Sequence, residues 1–324
     1  MTPSDTGGVS PEDAFEILGH ETRLAILHAL WKDQLPFEDH DFEEPPPGSA
    51  VPFTTLRKRV GVRDGSQFNY HLKKLTGRFV HQTDDGYLLA RPGLRILSAV
   101  LAGELTEDIV LDGVAIGEPC PLCGEQVVLE QGTDRLLDWL VCRCTACEGG
   151  WEVAAFLSGV LMSISPLTPV EVRDREPDEM YRALVTRTMH EFRLVTERVC
   201  PSCSGPIRTS PLLCAEHVVE PGRLCETCRT IFAVRFRNVC DVCNDVWISA
   251  SDRHFVTHPT VHAFYHEHGY EPFGHEWLRL EAETIDDQTV VSADPLEIRT
   301  EIEVDGEGLV VTLGETGSVV NVEA

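Results

Sequence analysis

Lysine occurs only four times in 324 residues, and no cysteine precedes Cys120. Long apolar runs are also missing. The most hydrophobic stretch, 151–167, contains Glu152, three serines and Pro166, whereas a membrane-spanning helix needs about 20 apolar residues. Residues 1–8 are polar and carry no basic side chain, so no secretory leader is expected. Neither a phosphate-cradling GxxxxGK[ST] loop nor a GxSxG nucleophile turn occurs, and no HExxH helix does. These absences remove the common routes to phosphoryl transfer, acyl transfer and zinc proteolysis, and the chain is not expected to be an enzyme. The expectation is a soluble, cytoplasmic protein without a membrane partner. In that compartment its twelve cysteines are metal ligands rather than disulfides.

The formal net charge of −26 argues against nucleic acid as a partner until its distribution is considered. Between Val51 and Val80 lie seven bases, Arg57, Lys58, Arg59, Arg63, Lys73, Lys74 and Arg78, against one acid, Asp64. That segment carries +6 and the other 294 residues carry −32. A compact basic island in an acidic chain is the electrostatic footprint of a phosphate-contacting module. The acidic, lysine-poor remainder suits a salt-rich cytoplasm, where hydrated carboxylates keep proteins soluble.

Local signals place the island on helices. Ser10-Pro11-Glu12-Asp13 combines an N-cap serine, a first-turn proline and acids at the positive helix end. Phe15 and Leu18 follow at helical spacing, and Leu24, Leu27 and Leu30 set a second helix. Residues 33–47 hold six acids and four prolines and read as an irregular loop. Thr54 or Thr55 caps a short helix that ends at Gly61. Another helix begins near Ser66 and stops at Gly77. In it Phe68, Leu72 and Leu75 form a buried face; Gln67, Asn69, Tyr70, Lys73 and Lys74 point outward, and His71 packs at the core edge. Segments 79–82 and 87–90 flank Asp85-Gly86 as a hairpin, and 91–105 reads as a last helix with Leu94, Leu97 and Leu101 on one side. Short helix, glycine turn, polar second helix and hairpin is a winged helix-turn-helix pattern.

Two stretches carry a resemblance: Glu16-Ile17-Leu18-Gly19-His20-Glu21-Thr22-Arg23-Leu24-Ala25-Ile26-Leu27, and Tyr70-His71-Leu72-Lys73-Lys74-Leu75. With this element order, residues 10–105 resemble the ArsR-type winged helix-turn-helix regulators; the winged helix followed by CxxC knuckles and by His258-Pro259 and Ala263-Phe264-Tyr265-His266-Glu267-His268-Gly269 resembles such regulators of halophilic archaea. The resemblance implies a homodimer that reads double-stranded DNA. The acidic 33–47 segment departs from the compact family form. So does the lack of cysteines near the basic island, which disfavours metal sensing by the family's local thiolate pair.

The remaining two thirds are organised by cysteine. Five CxxC knuckles occur: Cys120/Cys123, Cys144/Cys147, Cys200/Cys203, Cys225/Cys228 and Cys240/Cys243. Two knuckles complete a tetrahedral Zn²⁺ site. The first two pairs read as a zinc ribbon, with strands at 126–129 and 137–143. Cys142, the surplus thiol, is assigned a packing role. In the second block Cys214 and His217 also have knuckle spacing, which gives eight ligands for two ions. Nesting Cys214, His217, Cys225 and Cys228 inside the outer pairs is preferred because it closes small loops; cross-bracing alternate knuckles is equally legal chemically. Three Zn²⁺ ions are expected. With all four positions filled they are structural centres rather than catalytic ones, open to reporting an effector or redox state.

Six histidines lie between His254 and His275. His262 and His266 share a helix face at i, i+4, and an exposed or packed aromatic-histidine helix, with Phe264, Tyr265 and Tyr270, is preferred over metal binding. From Gln288 short alternating runs and glycine turns predict an antiparallel meander, and 276–324 holds 13 acids against two arginines.

The fold class is therefore α+β, in four parts: 1–105 winged helix-turn-helix with a dimerisation helix, 106–170 zinc ribbon, 171–277 double zinc-knuckle module with a His-rich helix, and 278–324 acidic meander. The expected DNA contacts are Arg57, Lys58, Arg59, Arg63, Ser66, Gln67, Asn69, Tyr70, Lys73, Lys74 and Arg78. The leading function is sequence-specific transcription regulation. The alternative is a basal factor, similar to archaeal transcription factor E, that docks on RNA polymerase through its zinc modules.

Overall fold

The computed structural model describes residues 10–34, 50–131, 140–152, 158–164, 168–218, 223–274, 280 and 285–324. The acidic loop expected at 33–47 lies, past Gln34, outside these residues, as do His275 and parts of 151–167. Two compact units are present, Met1–Asp108 and Ile109–Ala324. No helix among the described residues is long and apolar enough to cross a membrane.

The first unit runs α1 (Pro11–Leu18), α2 (Glu21–Gln34), α3 (Phe53–Val60), α4 (Gly65–Leu75), a hairpin of β1 (Val80–Thr83) and β2 (Gly86–Leu89), then α5 (Arg91–Ala102). Ser10 Oγ accepts from the Asp13 N–H at 3.1 Å, the cap its sequence announces. Ile26, Leu27 and Leu30 of α2 pack with Leu56, Phe68, Leu72, Leu75 and Leu97 in one core. Each such side chain contributes about 1.5–3 kcal/mol on burial. Leu24 departs from expectation and is exposed; the neighbouring Arg23 is buried in its place, with NH1 donating to the Glu16 carbonyl at 3.1 Å. Phe15 is also exposed, and Pro52 rather than a threonine stands at the start of α3. Gly61 ends α3 in the left-handed region at φ 77°, and Gly103 does the same for α5 at φ 87°.

The second unit contains two strand–knuckle–strand arrangements of like topology. The first is the antiparallel sheet β3 (Val114–Pro119), β4 (Gln126–Gln131), β5 (Leu140–Cys144), β6 (Val160–Ile164), paired in chain order. The second is β7 (Ile207–Leu213), β8 (Val234–Cys240), β9 (Val246–Ala250), with Val199 bridging Pro206 where the first sheet has β3. Between them run the short α6 (Pro169–Val172) and the 20-residue α7 (Pro177–Thr196). The helix α7 buries Met180, Tyr181, Leu184, Val185, Thr188, Met189, Phe192 and Val195. That i, i+4, i+8 stripe stands in the sequence, and the four-part division passes over it.

The short α8 (Asp252–Phe255) and α9 (Pro259–Glu267) follow, then the meander β10 (Ile285–Ala293), β11 (Leu296–Val304), β12 (Glu307–Gly314), β13 (Val319–Glu323). The expected strands are there, lengthened by a few residues. On β11 alternate residues from Leu296 to Val304 are buried, so one sheet face is apolar. Residues of all three C-terminal parts expected from the sequence enter one core: Cys142 and Leu161, then Leu184, Phe236 and Phe255, then Ile298 and Val311.

Candidate metal centres and the basic helix face

Four of the five CxxC turns share one backbone design. In each, the N–H of the residue after the second cysteine donates to the carbonyl of the first: Gly124 to Cys120, Ser204 to Cys200 and Arg229 to Cys225, all at 2.8 Å, and Asn244 to Cys240 at 3.2 Å. That residue takes a positive φ every time, 79°, 62°, 57° and 61°. Glycine and asparagine adopt it readily, whereas serine and arginine do so at a cost. The first cysteine's N–H then returns to a carbonyl two positions beyond the second, as from Cys120 to Glu125 at 2.8 Å and Cys200 to Gly205 at 2.9 Å. The turn thereby aims both thiols to one side. Sequence reasoning identified the cysteines and missed these supporting residues, although glycine or asparagine after the motif was the available signal.

The twelve ligand residues gather into three groups: Cys120, Cys123, Cys144 and Cys147; Cys200, Cys203, Cys240 and Cys243; and Cys214, His217, Cys225 and Cys228. Within each group the four donor atoms lie within 4.8 Å of one another. The arrangement in the second block is the nested one. Its cause is strand register: Ile207 pairs with Cys240 at one end of the β7–β8 hairpin, drawing the outer knuckles together. At the other end the Cys214 N–H donates to the Ala233 carbonyl at 3.1 Å, so the inner four close the hairpin tip.

Separations between thiols fit a metal and exclude a disulfide. Cys120 and Cys147 Sγ are 3.7 Å apart, Cys123 and Cys144 3.5 Å, Cys200 and Cys243 3.6 Å, and Cys203 and Cys240 3.5 Å. A disulfide would require about 2.05 Å, whereas Zn–S bonds of about 2.3 Å in a tetrahedron set sulfurs about 3.8 Å apart. The histidine is oriented for the same purpose. Its Nε2 lies 3.3 Å from the Ile231 carbonyl, which can only accept, so that nitrogen carries the proton. Nδ1, left with a free lone pair, faces Cys228 Sγ at 3.3 Å.

Backbone amides favour the thiolate at one cysteine of each group. The Cys228 N–H holds Cys225 down to about 6, and the Cys243 N–H holds Cys240 down to about 7. At Cys144 burial pushes upward, but the N–H groups of Cys147 and Ala146 outweigh it and hold the thiol at about 7. The donor sets, four thiolates in two of the groups and three thiolates with one imidazole in the third, suit zinc. Cys142 joins none of them. It is fully buried, paired across the sheet with Leu129 and Met162, and burial pushes its thiol well above the usual range. No histidine other than His217 belongs to a metal-binding group among the described residues. His262 stacks near Phe273, His266 Nδ1 lies 3.4 Å from Glu271, and His268 Nε2 lies 3.6 Å from Glu307.

In the first unit the candidate DNA-contacting residues fall on α3, on α4 and beside them. Phe68, His71, Leu72 and Leu75 are buried; Ser66, Gln67, Tyr70, Lys73 and Lys74 are exposed, and Asn69 is half-buried. The helix begins at Gly65, beside the expected Ser66, and Asp64 caps it: its carboxylate accepts from the N–H groups of Ser66 at 2.7 Å and Gln67 at 3.3 Å. The island's one acid is thereby tied to the backbone. Lys58, Arg59, Arg63 and Arg78 are exposed. Arg57 is half-buried, and its NH1 donates to the Arg63 carbonyl at 3.2 Å, closing the α3–α4 connection. The His71 ring sits 4.1 Å from that of His20. Burial, then the neighbouring His20 and Arg23, lower its pKa, so the packing expected of it is the packing found.

Two family models match the chain. One, described as Domain of unknown function (DUF7351), covers residues 117–319; the other, described as Domain of unknown function (DUF7347), covers residues 11–100. No curated protein and no solved structure matches the sequence.

Proposed function

We propose that this chain, which belongs to the family described as Domain of unknown function (DUF7351), is a sequence-specific, duplex-DNA-binding transcription regulator built on structural zinc. On this reading residues 11–102 are a winged helix-turn-helix with α4 as recognition helix, and the β1–β2 hairpin is the wing. The observation that carries it is the division of α4 between an apolar face sunk in the core and an outer face of Gln67, Tyr70, Lys73 and Lys74. An α-helix with such a face fits the major groove, about 12 Å wide, where side chains read base edges. Lys58, Arg59, Arg63, Lys73, Lys74 and Arg78 neutralise phosphates, Gln67, Asn69 and Tyr70 face bases, with Lys73 at the border between the two, and Arg57 braces the turn between the two helices.

The three tetrads hold one zinc ion each. Every group supplies four protein ligands, so no coordination position is left for water or substrate, and the ions act as cross-links. They compensate for small sheets that could not be stable alone. The chain acts as a homodimer in the cytoplasm. Leu94 on α5, 40% exposed, is a residue that a second copy would cover. Genome-wide footprinting of the full-length chain tests the reading. Discrete protected sites with a shared sequence support it; uniform or absent protection overturns it.

A further inference from the structure

The two sheets of the second unit differ in what covers them. In the first, Val127, Val128 and Leu129 of β4 and Leu140, Val141 and Cys142 of β5 are consecutive buried residues, so both faces are covered. The β7–β8–β9 sheet has one buried face, of Val234, Phe236, Asn238 and Cys240, and one more open face, on which Arg237 is exposed, Arg235 and Val239 are half-buried and Ala250 is buried. Strand pairing sets Arg237 between Ser210 and Ile248 on that open face, with Arg235 and Arg208 on the rows to either side. Among the 19 residues of these three strands there are three arginines and no acid, in a chain with 53 acids and 27 bases. Arg208 pairs with Asp241 at the knuckle end, whereas Arg235 and Arg237 form no ion pair with a described residue.

We infer that the open face of β7–β8–β9 is a second contact to the phosphate backbone of duplex DNA, formed around Arg208, Ser210, Arg235 and Arg237. This rests on the DNA-binding reading above and deepens it. Charge selects the ligand: Arg235 and Arg237 meet no acid among the described residues, and arginines so placed on so acidic a protein repel cations and draw polyanions. The form of the nucleic acid follows from what lies between the arginines. The neighbouring face residues are aliphatic, Val246 and Ile248, and the sheet's Trp247 is turned inward against Phe192. Single-strand binders need aromatic platforms for unstacked bases; this face has none and offers only charge and a hydroxyl. It therefore contributes affinity and salt dependence, while sequence choice stays with α4.

The test uses the full-length protein and a fluorescein-labelled random-sequence duplex, with anisotropy titrations over a series of salt concentrations. Arg237→Gln should lower the slope of log affinity against log salt by about 0.9, the value for one lost phosphate contact, and Arg208→Gln/Arg237→Gln by up to about 1.8. Zinc content equal to that of the parent certifies that the sheet is intact. Unchanged slopes in both variants overturn the inference. Unchanged slopes with altered sedimentation also overturn it and mark the face as a protein interface. Lys73→Ala run in parallel separates the two readings. If it lowers the slope while the arginine variants do not, only the second contact fails; if none of the variants matters, the DNA-binding reading fails with it.

Discussion

His254 Nε2 lies 2.9 Å from Ser249 Oγ, a buried contact that joins the short helix after β9 to the core of the three-stranded sheet. The same hydroxyl is reached by Asn238 Nδ2 at 3.1 Å, and Asn238 in turn accepts from Thr209 Oγ1 at 2.8 Å. Burial foremost, with a smaller contribution from Arg198, pushes the His254 imidazole down to about 3. It is therefore neutral in the folded protein, whereas in the unfolded chain it takes a proton near pH 6.5. A group with a depressed native pKa stabilises the fold above its unfolded pKa, and that stability is lost as pH falls from about 6.5 towards about 3. The ring nitrogens of His254 should hold constant NMR shifts from about pH 7.5 to about 5.5, across which an ordinary histidine gains most of its proton. A His254 signal that titrates in this window would refute the assignment. Gly317→Ala should destabilise by about 2 kcal/mol or more, because a Cβ there would drive into the His254 ring and φ is 74°.

Elemental analysis of the purified chain should return three zinc ions. Cys200→Ser and Cys225→Ser should each lose one ion and leave the other two, since the tetrads share no ligand. Full chelation should unfold the second unit, as structural zinc contributes on the order of 10 kcal/mol. A folded, metal-free second unit by near-UV circular dichroism would contradict the structural role.

Cys142→Ala should keep three zinc ions and cost about 1 kcal/mol by chemical denaturation. Cys142→Ser should cost about 1–3 kcal/mol, because it buries a hydroxyl among Leu129 and Met162 without a partner. Loss of an ion in either variant would make Cys142 a ligand after all.

On α4, Lys73→Ala should weaken DNA binding and lower the salt slope by about 0.9. Asn69→Ala should mainly relax sequence preference, by about 1–3 kcal/mol of discrimination at its base. Arg57→Ala should weaken binding and also lower the melting temperature, because Arg57 holds the Arg63 carbonyl. Equal affinities of all three variants for a footprinted site would remove α4 from the interface.

With 53 acids and only four lysines, the chain should gain stability from low salt to molar KCl. Screening of self-repulsion drives the gain. A flat or falling melting temperature across that series would count against adaptation to a salt-rich cytoplasm.

The candidate metal ligands were legible because a CxxC turn is a local device: two thiols three positions apart can chelate whatever surrounds them. The same holds for α4, where Phe68, Leu72 and Leu75 mark a buried face by spacing alone, and for the meander with its period-two alternation. Helix α7 was equally legible in principle, since its apolar stripe repeats every turn, but the cysteine pattern on either side of it is the stronger signal. Leu24 and Arg23 went the other way. Period alone assigns the leucine inward, yet the helix turns so that the arginine reaches the Glu16 carbonyl.

By itself, then, the sequence determined which residues could hold metal, where the basic helix lies and that the C-terminal strands form a meander, since each is written in contacts a few residues apart. Only the tertiary structure decided which knuckles come together, because that depends on the register that sets Ile207 against Cys240 across the β7–β8 hairpin. It alone decided that one sheet is covered on both faces while the arginine face of the other stays partly exposed. Coverage is set by remote segments, α7 and the C-terminal strands among them, whose destinations no local pattern records.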